Sequence, residues 1–138
     1  MNGEKIMIID DNKEFLEELQ EMLSLSGYIP LGINDSTVAF NVARKKKPDL
    51  ILLYLKMGQM NGFDVSQKLK QCPETSCIAI IAISGYFPLE KQSLLLDMSN
   101  MRACLKKPFS VAGVISQIED ILKDSGTKKE PERVETNK

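Results

Sequence analysis

The stretch Asp49-Leu-Ile-Leu-Leu-Tyr54 is the third of five short apolar runs in this chain. The five runs predict strands at about Lys5 to Ile9, Tyr28 to Ile33, Asp49 to Tyr54, Ile78 to Ile83 and Arg102 to Leu105. Between them lie segments whose apolar residues recur at helical spacing. Short β-rich runs that alternate with such segments are typical of an α/β domain, in which helices cover both faces of a parallel sheet. We therefore predict five βα units.

The five helices predicted from this spacing run from Asn12 to Gly27, from Asp35 or Ser36 to the basic run ending at Lys47, from Gly62 to Gln71, from Pro88 to Ser99 and from Ser110 to about Asp124. Asn12 and Ser110 are good helix N-caps, and Gly27 is a good stop signal. The residues expected to face inward are Phe15, Leu19, Met22 and Leu23 in the first helix, Val38, Ala39 and Val42 in the second, and Val111, Val114, Ile115, Ile118, Ile121 and Leu122 in the fifth. The last set is the strongest amphipathic stripe in the chain.

Composition indicates one globular domain. The chain has 138 residues, of which 43% are hydrophobic and 27% charged, and its net charge of -1 gives no electrostatic reason to bind nucleic acid. Its apolar runs are too short for a membrane span, and the first ten residues lack a signal-peptide core, so we expect a cytoplasmic protein. We predict a domain over residues 1–124 and a disordered charged tail or linker over 125–138, rich in Lys, Glu, Pro and Thr.

The cysteines and the basic run have ordinary explanations. Cys72, Cys77 and Cys104 form no Cys-x-x-Cys pair, and the chain has no histidine, which argues against a zinc site and a disulfide framework. We expect reduced, packed thiols, although a bridge between Cys72 and Cys77 stays open. The run Arg44 to Lys47 is interpreted as a complement to the dipole of the second helix rather than as a phosphate or nucleic-acid patch.

Polar groups follow four of the five predicted strands. Right-handed connections leave few ways to wind five parallel strands, and one common order, 2-1-3-4-5, reverses direction between strands 1 and 3, where ligands bind. The groups that would meet there are Asp10 and Asp11 after strand 1, Tyr54 at the end of strand 3, Ser84 after strand 4 and Lys107 after strand 5. Two carboxylates suit a hard cation. The absence of a glycine-rich loop after strand 1 argues against a nucleotide site.

These motifs resemble the receiver (CheY-like) domain of bacterial two-component response regulators. The resemblance covers about Lys5 to Leu122 and rests on Asp10-Asp11-Asn12, Pro48 to Leu53, Met57 to Gly62, Ser84 and Lys107-Pro108-Phe109. It implies a flavodoxin-like, doubly wound five-stranded sheet of order 2-1-3-4-5 with five helices. It also implies that Asp10 and Asp11 match the Mg²⁺-binding pair, Ser84 the switch hydroxyl and Lys107 the lysine that pairs with the phosphoryl group.

Two residues depart from the family pattern. Tyr54 falls on the position of the phosphoacceptor aspartate, and Cys104 on that of the aromatic switch residue. The loop after strand 3, Met57 to Met60, also lacks the family's usual proline. A phenol with a pKa of about 10 is neutral at pH 7 and supplies neither a third carboxylate for Mg²⁺ nor an acyl-phosphate acceptor. We therefore expect no enzymatic activity and either no cofactor or weakly bound Mg²⁺.

The resemblance implies a partner protein. In the family, the fourth helix, fifth strand and fifth helix form the usual output and dimerisation face, which here spans about Pro88 to Lys123. We expect phosphorylation-independent binding of a histidine kinase or an output protein through this face. A homodimer is also compatible with the resemblance. Lys107 is expected to pair with Asp10 or Asp11, and the Tyr54 hydroxyl to point at one of these carboxylates, which would fix one conformation without phosphate.

Two alternatives stay open. In the first, the domain is an Mg²⁺-dependent receiver that takes a phosphoryl group on another residue, such as Ser84 or one of the paired aspartates. In the second, Tyr54 is an engineered substitution in a normal receiver.

Overall fold

The computed structural model describes residues 3–54, 62–84, 101–106 and 110–127. The strands are β1 (Lys5–Ile9), β2 (Ile29–Ile33), β3 (Leu50–Tyr54), β4 (Ala79–Ser84) and β5 (Met101–Lys106). The helices in these residues are α1 (Lys13–Leu25), α2 (Ser36–Lys46), α3 (Gly62–Gln71) and α4 (Val111–Thr127). Helix α4 corresponds to the fifth predicted helix. The fourth predicted helix, over 88–99, lies outside the described residues.

The strands form one parallel sheet in the order β2-β1-β3-β4-β5. This confirms the predicted fold class and strand order, and the strand bounds agree with the prediction to within one residue. Strand β4 lies inside the sheet, between β3 and β5, and its neighbouring residues Ile80 and Ile81, which point to opposite faces, are both buried.

Side-chain alternation along β3 supplies both halves of the core. Leu50 and Leu52 belong to a cluster with residues of α1 and α4, whereas Ile51 and Leu53 belong to a second cluster with residues of α2 and α3. All four side chains are fully buried. Successive residues of a strand point to opposite faces, so a continuous apolar run is what a strand covered on both sides requires. The sheet is therefore sandwiched between two helical layers.

The first two helices begin where local capping chemistry predicts. The Asn12 side chain accepts a hydrogen bond from the Phe15 backbone N–H at 3.1 Å, and the Asp35 side chain accepts one from the Thr37 N–H at 2.9 Å. Each bond satisfies a donor that the first helical turn leaves without a partner. Helix α2 ends at Lys46, and its C-cap residue, Lys47, has a φ of 50°, in the left-handed region.

Two predicted inward-facing residues are wrong. Met22 and Val38 are 40% and 43% exposed. In α1 the buried stripe is formed instead by Leu16, Leu19 and Leu23, at spacings of three and four residues, and Met22 lies beside it. In α2 the small side chains of Ala39 and Ala43 face the sheet.

Helix α4 bears out its predicted stripe from Val114 to Leu122, while the side chain of Val111 lies outside the described residues. Val114, Ile118 and Ile121 are buried, and Ile115 and Leu122 pack against the same cluster. The helix runs to Thr127, three residues beyond its predicted end at Asp124. Residues 128–138 of the predicted tail lie outside the described residues. In the part of the chain that the structure describes, no helix has the length and apolarity needed to cross a bilayer.

Candidate functional site

The carboxyl ends of three neighbouring strands, β1, β3 and β4, lie together along one side of the sheet, called here the carboxyl edge. The register pairs Ile9 of β1 with Leu53 of β3, and Tyr54 of β3 with Ile83 of β4. Asp10 directly follows β1, so this carboxylate and the Tyr54 phenol lie at the same edge. This is where the strand order reverses, and it is the crevice in which ligands of such sheets bind.

Two other predicted site residues belong to this edge by their place in the chain. Ser84 is the last residue of β4, opposite Lys106 of β5, and Lys107 comes next in the sequence. The side chain of Ser84 and all of Lys107 lie outside the described residues, as does the side chain of Cys104 on β5. The expected pairing of Lys107 with an aspartate therefore stays a prediction.

The paired aspartates differ sharply in environment. Asp10 is fully buried, its backbone N–H donates to the Ile33 carbonyl at 3.0 Å, and its Oδ1 atom accepts a hydrogen bond from the Asn12 N–H at 2.9 Å. Asp11 is exposed. A buried carboxylate is costly unless it is hydrogen-bonded or paired, so Asp10 needs such partners. Its position just before α1 also lets the positive end of the helix dipole stabilise its charge.

Tyr54 is half-buried, and its ring packs against both core clusters because it lies where the sheet ends. Burial raises the pKa of its phenol, and the negative charges of Asp10 and Asp11 raise it further. The hydroxyl is therefore neutral at physiological pH. The ring is held against the core and is not turned out to solvent, and the expected direction of its hydroxyl toward Asp10 or Asp11 stays a prediction.

The ordinary pKa of a tyrosine phenol is about 10. We predict that the phenol of Tyr54 titrates above this value. The folded state favours the protonated phenol, so its contribution to stability is complete below the ordinary pKa and is lost as the pH rises through the raised value. Ultraviolet difference titration of the native chain against Tyr54→Phe would isolate this phenol, because the chain has three tyrosines. Asp10→Asn should lower its midpoint. A midpoint at or below 10 in the native chain would contradict the described environment.

The donor set fits a divalent cation only in part. Within the described ranges, no group of three or more His, Cys, Asp or Glu side chains is placed to hold a metal ion. Asp10 and Asp11 offer two carboxylates, and Mg²⁺ is often bound by one or two carboxylates together with water and substrate oxygens. A neutral phenol is a poorer ligand than the carboxylate that would complete a set of three. Asp10 and Asp11 are thus the residues that would hold Mg²⁺ here.

Several contacts outside the crevice were missed by sequence reasoning. Arg44 of the basic run pairs with Glu74 at 3.1 Å, and its guanidinium lies 5.8 Å from the Phe40 ring centroid. The Lys5 side chain donates to the Lys46 carbonyl at 3.1 Å, at the end of α2. The basic run thus joins α2 to its neighbours in addition to complementing the helix dipole. No local signal indicates the ion pair or the Lys5 hydrogen bond, since their partners lie 30 and 41 residues apart, whereas Arg44 and Phe40 are one helical turn apart.

The thiols of Cys72 and Cys77 are both free, so the bridge left open from the sequence is not formed. Cys77 is exposed, so the expectation of a packed side chain is wrong for this residue.

Comparison with known proteins agrees with this geometry. A family model described as the response regulator receiver domain matches residues 6–119. The polar-differentiation response regulator DivK of Brucella anthropi is 28% identical over 120 residues, which are 87% of this chain and 97% of that protein. The DivK protein of Brucella ovis shows the same identity and coverage.

Solved structures show the same fold. A response regulator from Desulfuromonas acetoxidans has a TM-score of 0.79 at 29% identity, covering 87% of this chain and 97% of that one. The receiver domain of a sensor histidine kinase from Pseudomonas aeruginosa has a TM-score of 0.79 at 21% identity, covering 88% and 98%. That structure holds a magnesium ion coordinated in its active-site cleft.

Proposed function

Because this chain belongs to the response regulator receiver family of two-component signalling, we propose that it is an atypical receiver that takes no phosphoryl group at residue 54 and acts by binding another protein. The observation that carries the proposal is the half-buried tyrosine at the end of β3, beside Asp10 and Asp11. We propose further that the chain is not an enzyme and works in the cytoplasm.

The chemistry of phosphoryl transfer supports this proposal. The reaction needs an anionic or activated nucleophile in line with the phosphorus, with metal and lysine charges that neutralise the transferred group. The Tyr54 phenol is protonated at pH 7, and its raised pKa makes the phenolate scarcer still. The phenol also replaces a carboxylate that would help to hold Mg²⁺. The tyrosine at position 54 therefore removes both the phosphoryl acceptor and one ligand of the metal site.

The proposed output is a protein interface. Helix α4 buries its apolar stripe in the core and leaves Ser116, Glu119, Asp120 and Lys123 exposed. We propose that this exposed side of α4, together with β5, forms part of a surface for a histidine kinase, an output protein or a second copy of the chain. The rest of the proposed surface, residues 88–99, lies outside the described residues.

The proposal predicts that the native chain gives no labile adduct with acetyl phosphate and Mg²⁺. The reaction would be followed by intact mass under conditions that preserve acyl phosphates. Tyr54→Asp in the same buffer is the matched comparison, and it is expected to gain one phosphate. An added phosphate on the native chain would overturn the proposal, and peptide mapping would show whether Ser84 or a paired aspartate had taken it.

The binding half of the proposal uses the same preparations. Immobilised native chain, exposed to extract of the source organism, should retain a partner equally well with and without the phosphodonor. Retention that requires the phosphodonor would contradict phosphorylation-independent binding.

A further inference from the structure

Strand β2 is an edge strand, with β1 as its single neighbour in the described sheet. The free side of an edge strand normally presents unpaired N–H and C=O groups, and these form a template for a strand of another chain. The risk is greater here because Ile29, the first residue of β2, is 52% exposed. The hydrogen-bonding groups on this side therefore decide whether the sheet can be extended.

The register shows which residues of β2 face outward. The Ile29 N–H donates to the Glu4 carbonyl at 2.8 Å, and the Ile33 carbonyl accepts from the Asp10 N–H at 3.0 Å. Backbone groups of alternate residues point to the same side of a strand, so the odd-numbered residues of β2 bond to β1. Pro30 and Gly32 consequently direct their backbone groups to the open side.

The outward-facing side offers no free donor within residues 28–32, all of which the structure describes. Tyr28, just before the strand, donates its N–H to the Leu23 carbonyl at 3.0 Å. Pro30 has no N–H. The Gly32 N–H donates to Oε1 of Gln20, a residue of α1, at 3.2 Å. A second strand laid along this side would find acceptors but no donors, and it could not form a ladder.

The missing side chain at position 32 leaves space that Gln20 fills, whereas the backbone angles of this residue do not call for glycine. Gly32 is not among the residues with positive φ. A Cβ atom built on Gly32 would lie 2.7 Å from Nε2 and 2.8 Å from Cδ of Gln20. Both distances are far below van der Waals contact. The Gln20 amide therefore occupies the place of a side chain at position 32, and the two residues act as a pair.

We propose that Pro30 and the hydrogen bond from the Gly32 N–H to the Gln20 side chain together lock the β2 edge against pairing with a second strand. Neither another copy of this chain nor an extended segment of a partner can then lengthen the sheet at this edge. This restriction goes beyond the proposed function, since it directs any partner to the helical faces or to the opposite edge of the sheet.

Amide hydrogen exchange tests the lock directly. Gln20→Met keeps a side chain of similar length but loses the acceptor, and the Gly32 amide should exchange roughly five- to tenfold faster than in the native chain. Gln20→Glu keeps an acceptor and should retain most of the protection. Equal protection in the native chain and in Gln20→Met would show that Gln20 does not close this edge.

Self-association tests the consequence. Sedimentation velocity of Gln20→Met/Pro30→Thr should show association at protein concentrations about tenfold lower than for the native chain. Adding Ile29→Lys to the double variant should abolish the increased self-association, because a charge on an edge strand opposes strand pairing. A folded double variant that associates no more than the native chain would overturn the proposal. So would a gain in association that the lysine leaves unchanged.

A milder variant covers the case in which the double variant does not fold. Gly32→Ala adds one methyl group that displaces the flexible end of Gln20 and leaves Pro30 in place. The amide of residue 32 should lose its protection in this variant. Protection equal to that of the native chain would contradict the pairing of the two residues.

Discussion

Tyr54→Asp is expected to turn the crevice into an Mg²⁺ site that takes a phosphoryl group. The new carboxylate would lie beside Asp10 and Asp11, and three carboxylates attract Mg²⁺ more strongly than two. Without Mg²⁺ the variant should be about 1–3 kcal/mol less stable than the native chain, because it loses the ring that packs against both core clusters and gains like-charge repulsion.

Urea unfolding with EDTA and with Mg²⁺ measures this effect. At Mg²⁺ concentrations about 100-fold above the dissociation constant, binding to the folded state should return about 2.7 kcal/mol. The native chain should respond much less. Intact mass after treatment with acetyl phosphate should show one added phosphate on Tyr54→Asp.

Tyr54→Phe is the matched control for Tyr54→Asp. It keeps the aromatic ring and supplies no carboxylate, so we expect near-native stability, no strong response to Mg²⁺ and no adduct. If Tyr54→Asp gains Mg²⁺-dependent stability but no phosphate, the claim that Tyr54 by itself blocks transfer is wrong. The defect would then involve another departure from the family pattern, such as Cys104.

Ile8→Ala is expected to destabilise the fold by about 2–5 kcal/mol. Ile8 lies in β1 between β2 and β3, is fully buried, and belongs to the cluster that joins the sheet to α1 and α4. The substitution removes buried apolar surface and leaves a cavity between packed layers that relax only in part. The free energy of unfolding, measured in urea by circular dichroism, would report the loss.

Ile29→Ala makes the same chemical change at an exposed position. Ile29 is in the neighbouring strand β2 and is 52% exposed, so its truncation should change stability by about 0.5 kcal/mol or less. Similar losses at the two positions would contradict the burial described for β1. The pair therefore separates the cost of a core cavity from the general cost of removing an isoleucine side chain from a strand.

Much of the fold was predictable because it is encoded by local patterns. Continuous apolar runs mark strands covered on both faces, and their alternation with amphipathic segments leads to the parallel sheet. Caps are local too, so the start of α1 directly after its N-cap Asn12 followed from one side chain. The spacing of apolar residues predicted buried positions less reliably at the borders of the buried helix faces. Met22 and Val38 fit the apolar pattern but are exposed.

The site was predictable in its position but not in its environment. Strand ends in a known order brought Asp10, Asp11 and Tyr54 to one edge. The difference between the two aspartates was not visible, because adjacent identical residues carry the same local signal. The sheet edge shows the same limit: Pro30 within a strand indicates an edge strand, but nothing in the sequence indicates that Gln20, 12 residues away, occupies the space over Gly32.

Residue spacing along the chain by itself determined the number of strands and the two-layered covering of the sheet. The strand order, which brings Asp10, Asp11 and Tyr54 together, was one of the few that right-handed connections allow, and the resemblance to receiver domains selected it. The tertiary structure decided that Asp10 is buried while Asp11 is exposed, that burial and two carboxylates raise the pKa of Tyr54, and that the β2 edge lacks free donors. The reason is physical: desolvation, charge interactions and the space around a backbone group depend on residues distant in sequence, which are brought together only by packing.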